Sequence, residues 1–149
     1  MIAVAAIVAV GATACLPNTG APPSDPTKSG VLQAMNQDRA RAGVGALTWS
    51  PRLAVLAAVW AQHLASSGTL VHQNLAALIT NPDFAGYHTM GENLLVGPAG
   101  LTAAQMEATW MGSLEHRANI LSGAFDIAGV GRAWSSDGRI WVVVDFGGI

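Results

Sequence analysis

One cysteine, Cys15, is all the 149-residue chain contains, so no disulfide can close within it. The fold must hold by packing alone. Charge is scarce too: Asp, Glu, Lys and Arg together make 11% of the residues. An ionisable group inside an apolar stretch therefore calls for an explanation. The net charge is −2, with no basic block, which argues against nucleic acid as a partner. No glycine-rich phosphate loop occurs, no Ser or Cys sits in a nucleophile motif, and no repeat is visible. What is abundant is apolar: 51% of the residues are hydrophobic, enough for the core of one domain and too short a chain for two.

The opening "MIAVAAIVAVGATAC", residues 1–15, is small and apolar, and shorter than the roughly 20 residues a spanning helix needs. "ATA" before Cys15 has the form of a secretory cleavage site, and the same stretch also reads as a lipoprotein signal with Cys15 lipidated. No Lys or Arg precedes the run. A buried N-terminal helix is the plainer alternative. Residues 16–30, with "PNTGAPPSDPTKSG", read as a disordered linker rich in Pro, Gly and Ser. The domain is expected over 31–149. Localisation is expected to be extracellular or at the cell envelope, with membrane contact only through a lipid anchor at Cys15.

The domain opens with helical periodicity. "SGVLQAMNQDRARAG" places Val31, Leu32 and Met35 on one face and ends at Gly43. "SPRLAVLAAVWAQHLASSG" has Ser50 as cap, Pro51 at the first helical position and Gly68 as stop. Its inward stripe is Leu53, Leu56, Ala57, Trp60, Ala61 and Leu64. "NLAALI" reads as one or two helical turns, "NPDFAG" as a loop and "ENLLVG" as a short strand. "LTAAQMEATWMGSLEHRANIL" reads as a helix opening with a capping box, Thr102 to Gln105, and placing Trp110 inward. Trp49, before a helix cap, is expected to form only a lid. The end changes period: "IAGVGRAW", "SSDG" and "RIWVVVDFGG" give a hairpin turning at Asp137-Gly138. The second strand is apolar on both faces and so covered on both sides. The fold class expected is α/β, a three-layer α-β-α sandwich.

Against this background His72, Glu92, Glu115 and His116 are the ionisable residues hardest to place on a solvated face. A buried carboxylate is costly unless paired, and histidine is its natural partner near neutral pH. Two histidines and a carboxylate also supply the ligand types of an open zinc site. The plainer reading is two unrelated surface histidines and a helix-end glutamate. His63 reads as a surface or boundary residue. Glu115 and His116 are adjacent, and neighbours on a regular helix diverge by about 100°. Both face one cleft only if the helix has ended. Asn93 can tie down the segment carrying Glu92. Arg117 and Asn119 can bond the carbonyls left at the helix end. Asp145 is expected to pair with Arg117 or Arg132, or to face water.

The pattern "H…GEN…W-M-x-S-x-x-H-R-A-N-I-L…G-V-G…W-V-V-x-D-F-G" resembles the CAP superfamily: cysteine-rich secretory proteins, antigen 5 and pathogenesis-related proteins, also called SCP domains. It is closest to the bacterial, cysteine-poor branch, and the resemblance runs from Leu32 to Gly147. It implies an α-β-α sandwich with a shallow cleft holding two His and two acidic residues, which in some members bind a divalent metal. By position His72 matches the first histidine, Glu92 the Glu of G-E-N, and His116 the second histidine. The fourth residue departs: Ser113 stands where many eukaryotic members have Glu. Glu115 stands where bacterial relatives often have Gly, and is a candidate replacement for the missing acid. His88, four residues before Glu92, is extra to the pattern and a candidate rim residue.

The resemblance implies a ligand-binding cleft at His72, Glu92, Glu115 and His116, with a weak divalent-metal site, zinc being the candidate, at His72, Glu92 and His116. Some relatives bind sterols or fatty acids, so the partner expected is a lipid or other small amphipathic ligand, or an envelope component. One alternative is a zinc-dependent hydrolase using His72, Glu92 and His116. Another is a structural or signalling protein whose cleft is idle. Nothing in the residues demonstrates catalysis.

Overall fold

The computed structural model describes residues 16–149. The expected export signal and Cys15 lie outside the described residues.

Helix α1 (Pro26–Arg41) starts five residues before the domain boundary read from sequence. Asp25 is the reason. Its Oδ1 accepts from the Thr27 and Lys28 amides at 3.0 and 3.1 Å, and Pro26 occupies the first turn, where its missing N–H costs nothing. The chain before α1 is also tied down: the Gly20 amide donates to the Trp49 carbonyl, and Arg52 to the Leu16 carbonyl. The expectation of a disordered linker through residue 30 is therefore corrected. Its composition is spacer-like, but the Asp-Pro pair caps a helix, and its side chains find partners on the domain.

After β1 (Thr48–Trp49), α2 (Pro51–Ser67) has the expected ends, with Ser50 Oγ accepting from the Leu53 amide and Gly68 left-handed at φ 68°. Leu53, Ala57, Ala61 and Leu64 are fully buried, whereas Leu56 and Trp60 are only partly covered. Then come α3 (Leu75–Ile79), a single 3-10 turn at Pro82–Phe84 and β2 (Thr89–Pro98). The long helix read at 101–121 is two: α4 (Ala103–Met111), with its Thr102–Gln105 capping box, and α5 (Leu114–Ile120). The break at Gly112–Ser113 starts a new helix with its own direction. The chain ends in β3 (Ile127–Trp134) and β4 (Arg139–Gly148). None of the described helices is long and apolar enough to cross a membrane.

The sheet order is β1-β3-β4-β2, with β1 parallel to β3 and the other pairs antiparallel. Strand β4 is central. Its Ile140, Val142, Val144 and Phe146 pack with Met35 of α1, Met106 and Trp110 of α4 and Ile120 of α5. Its Trp141 and Val143 face the other way, onto Ala57, Ala61 and Leu64 of α2. This alternation gives the three-layer sandwich expected. Helix α2 lies unusually close to β3. A Cβ at Gly129 or Gly131 would stand 2.1 Å from backbone atoms of Ala54 or Ala57, so only glycine allows this contact.

Two buried side chains stand out, the first against expectation. Trp49 is 6% exposed and belongs to the main core, not to a lid. Arg39, on α1, is 1% exposed and donates to four carbonyls: Gly45, Ile120, Ser122 and Phe125, at 2.6–2.8 Å. It ties α1 to the loop after it and to the segment joining α5 to β3.

Candidate functional site

Strand β2 lies at one edge of the sheet, and the candidate site straddles that edge. Glu92 sits opposite Asp145 of β4 in the antiparallel register, so the two carboxyl groups share one face. Leu94, two residues on, packs in the α2 layer, which places Glu92 on the same side. Asn93 points the other way, toward α5. Its Nδ2 donates to the His116 carbonyl at 3.0 Å, and its Oδ1 accepts from Asn119 Nδ2 at 2.9 Å. Asn119 also donates to the Glu92 carbonyl, and Trp110 Nε1 to the Leu94 carbonyl. These side chains satisfy carbonyls along the outer edge of β2 and hold α4 and α5 against it.

The loop between α2 and α3 supplies the other wall. His72 Nδ1 lies 2.6 Å from Glu92 Oε1. The Gln73 amide donates to the same oxygen at 3.0 Å, and Gln73 Nε2 donates to Glu92 Oε2 at 2.7 Å. The same Nε2 reaches Asp145 Oδ1 and Oδ2 at 3.0 and 3.2 Å. Glu92 and Asp145 are buried, while the His72 side chain is 59% exposed. A carboxylate only accepts, so His72 donates through Nδ1 and leaves Nε2 as its accessible acceptor.

Electrostatics mark the same place. Burial pushes the Asp145 carboxyl well above the ordinary range, and the Glu92 charge adds to this, with the Gln73 hydrogen bond working against both. Burial lowers the His116 imidazole, and repulsion from His72 lowers it further, while Glu115 pulls it up. His116 is thus within electrostatic reach of His72 and partly open to solvent.

The structure brings His72 and Glu92 into contact and places His116 nearby. It does not bring Glu115 into that hydrogen-bonded set. Glu115 and His116 lie within the regular turns of α5, so their side chains diverge, and Glu115 is exposed with no hydrogen bond among the described residues. His88 is exposed just before β2, and its side chain makes no hydrogen bond among the described residues. His63 is exposed and stacks on Trp60. Arg117 is exposed, and the expected Asp145 pairing with Arg117 or Arg132 is not formed. Arg132 turns to Asp25, and Asp145 turns to Gln73. Asn119 bonds strand β2 rather than the end of its own helix.

Nor do His72, Glu92 and His116 form a three-ligand metal site. Among the described residues no group of three or more His, Cys, Asp or Glu side chains is arranged to hold a metal ion. Glu92 has both oxygens engaged by His72 and Gln73. Gln73 is the site residue sequence reasoning missed. Its position beside His72 was the available signal.

Beside the cleft, Trp60, Gln73, Asn74, Ala77, Leu78 and Asn81 line an open groove of about 270 Å³.

An α-β-α sandwich with a His–Glu pair at its sheet edge defines a class, and the comparisons agree with it. The family model CAP, the Cysteine-rich secretory protein family, matches residues 32–146. The chain belongs to that family. The fold is similar to that of an outer surface protein from Borrelia burgdorferi, with 19% identity, a TM-score of 0.66, and 79% of this chain and 89% of that one covered. It is also similar to an extracellular SCP-domain protein from Bacillus anthracis, with 21% identity, a TM-score of 0.61 and 88% of this chain covered. There the chain spans 45% of the larger protein's length. NaASP2, whose crystal structure is described as containing Zn2+, has 11% identity and a TM-score of 0.54 over 85% of this chain and 83% of that one. Among curated proteins no sequence matches the chain.

Proposed function

We propose that the protein is an extracellular or envelope-associated binding module whose cleft takes a small amphipathic ligand or lipid. One observation carries this reading. The polar pair His72 and His116 is flanked in sequence by large apolar side chains that face solvent: Leu70 and Val71 at 48% exposure and Leu114 at 75%. A histidine cleft with an apolar rim suits a molecule with a polar head and a hydrocarbon body.

Saturation binding of a fluorescent fatty acid tests it. The parent should bind saturably, and Leu114→Asp and Val71→Asp should each weaken binding by tenfold or more, an effect of about 1.4 kcal/mol. Non-saturable uptake, or equal affinity in all three proteins, contradicts the reading.

A weak zinc site belongs to the same proposal, in revised form. His72 Nε2 and His116 would be its ligands, with Glu92 behind His72 in the manner of a carboxylate that orients a metal-binding histidine. Zinc there would act as an electrophilic anchor for a ligand's polar head. The zinc-hydrolase alternative gains nothing from Glu92, whose oxygens already accept three donors and leave little capacity to take a proton from water.

A further inference from the structure

We propose that Gln73, braced by Asp145, is a positioning residue that holds Glu92 in the one orientation keeping Nδ1–H of His72 inward and Nε2 presented to the cleft. The observations are the hydrogen bonds around one amide group. Gln73 Nε2 has two hydrogens and two acidic neighbours, Glu92 Oε2 at 2.7 Å and the Asp145 carboxyl at 3.0 and 3.2 Å. Both hydrogens are used. Rotating the amide by half a turn would set Gln73 Oε1 against the Glu92 carboxylate and give up the N–H bond to it, so the amide has a single favourable setting.

That setting fixes Glu92 in turn. Its carboxylate meets three donors, the Gln73 side chain on Oε2 and the Gln73 amide and His72 Nδ1 on Oε1. All three come from the dipeptide His72-Gln73, which grips the carboxylate along both oxygens. Asp145 matters because of where the sheet puts it. Two acidic residues directly opposite on neighbouring strands repel, and the Gln73 amide bridges them. Without Asp145 the amide would lose the partner for its second hydrogen, and with it the reason to keep its orientation. Gln73 is 9% exposed and Asp145 fully buried, so water does not substitute readily for either.

This inference deepens the binding reading, since it concerns how His72 is offered to a ligand, but its test involves no ligand. In the full chain labelled with 15N, the ring nitrogens of His72, read at about pH 8, report which one carries the proton. The parent should show Nδ1–H almost alone. Gln73→Met keeps the volume and removes the donors; the Nε2–H form should rise at least tenfold. Asp145→Leu should shift the population the same way. Asp145→Asn, which keeps an acceptor for Gln73, should restore the parent pattern.

Trp indole resonances establish that each variant is folded. A folded Gln73→Met protein that still holds Nδ1–H almost alone overturns the proposal, because Glu92 then positions His72 unaided. A parent that shows Nε2–H at His72 overturns it without any variant. A locked tautomer in a protein that binds neither fatty acid nor zinc leaves the positioning role standing and removes the binding reading instead.

Discussion

Arg132, in the middle of the domain's sheet, holds Asp25 at the mouth of α1 through two hydrogen bonds, 3.0 Å from Nε and 2.7 Å from Nη2. The same aspartate caps α1 through its other oxygen. One residue in a stretch with spacer-like composition thus joins the first helix to β3. A chain beginning at Ser29 should lose the cap and the ion pair together. The loss should be about 1–2 kcal/mol, seen as a melting temperature several degrees below that of a chain beginning at Leu16. Asp25→Ala in the longer chain should reproduce most of the drop. Equal melting temperatures would show that the contact contributes nothing.

Arg39 should be irreplaceable by lysine. A lysine ammonium has three donors on a flexible stem, whereas the guanidinium meets four carbonyls at once in a fixed plane. Arg39→Lys should cost at least about 2 kcal/mol and Arg39→Ala at least about 3, since each orphaned buried carbonyl carries its own penalty. Urea denaturation checks this: the midpoint should fall in that order, with little change in slope.

Glu107 should destabilise the protein near neutral pH. It is 4% exposed between α4 and α1, and neither carboxylate oxygen has a hydrogen-bond partner among the described residues. Burial, and then the neighbouring Asp38 carboxylate, raise it from 4.5 to about 8. A carboxyl group raised in the folded state favours folding while it is protonated. Its contribution is complete below about pH 4.5, falls as pH rises, and levels off above about 8. Glu107→Gln mimics the protonated form without titrating. It should stabilise the fold by about 2–3 kcal/mol at neutral pH and make stability flatter between about pH 5 and 8. Urea melts across that range check both points. A variant that is less stable than the parent at about pH 8 would contradict this.

Regular elements were legible where local chemistry decides them. Ser50-Pro51 and Gly68 bound α2, Thr102 and Gln105 open α4, and the alternating apolar run ending at Phe146 makes the central strand. His72 and Glu92 were singled out by the cost of a carboxylate in an apolar setting, but only the resemblance to the CAP pattern set them in one cleft. What stayed hidden depends on register and on helix breaks. Asp145 opposes Glu92 only because β2 and β4 pair in that register. Whether Glu115 turns to the cleft depended on α5 being a separate helix after Gly112, a direction that periodicity does not encode. The role of Arg39 stayed hidden because its four acceptors are backbone carbonyls, which leave no trace in side-chain patterns. Asp25 was masked by its Pro- and Ser-rich neighbours.

The cleft itself is tested most directly by zinc titration calorimetry of the parent, His72→Ala, His116→Ala and Glu115→Gln, at about pH 7.5 and about pH 5.5. Neutral imidazoles bind the ion and protonated ones do not. The account predicts weak one-to-one binding at the higher pH, lost in both histidine variants, unchanged in Glu115→Gln, and reduced in the parent at the lower pH. Parent-like affinity in His116→Ala would contradict it, because His72 would then bind without the partner that defines the cleft.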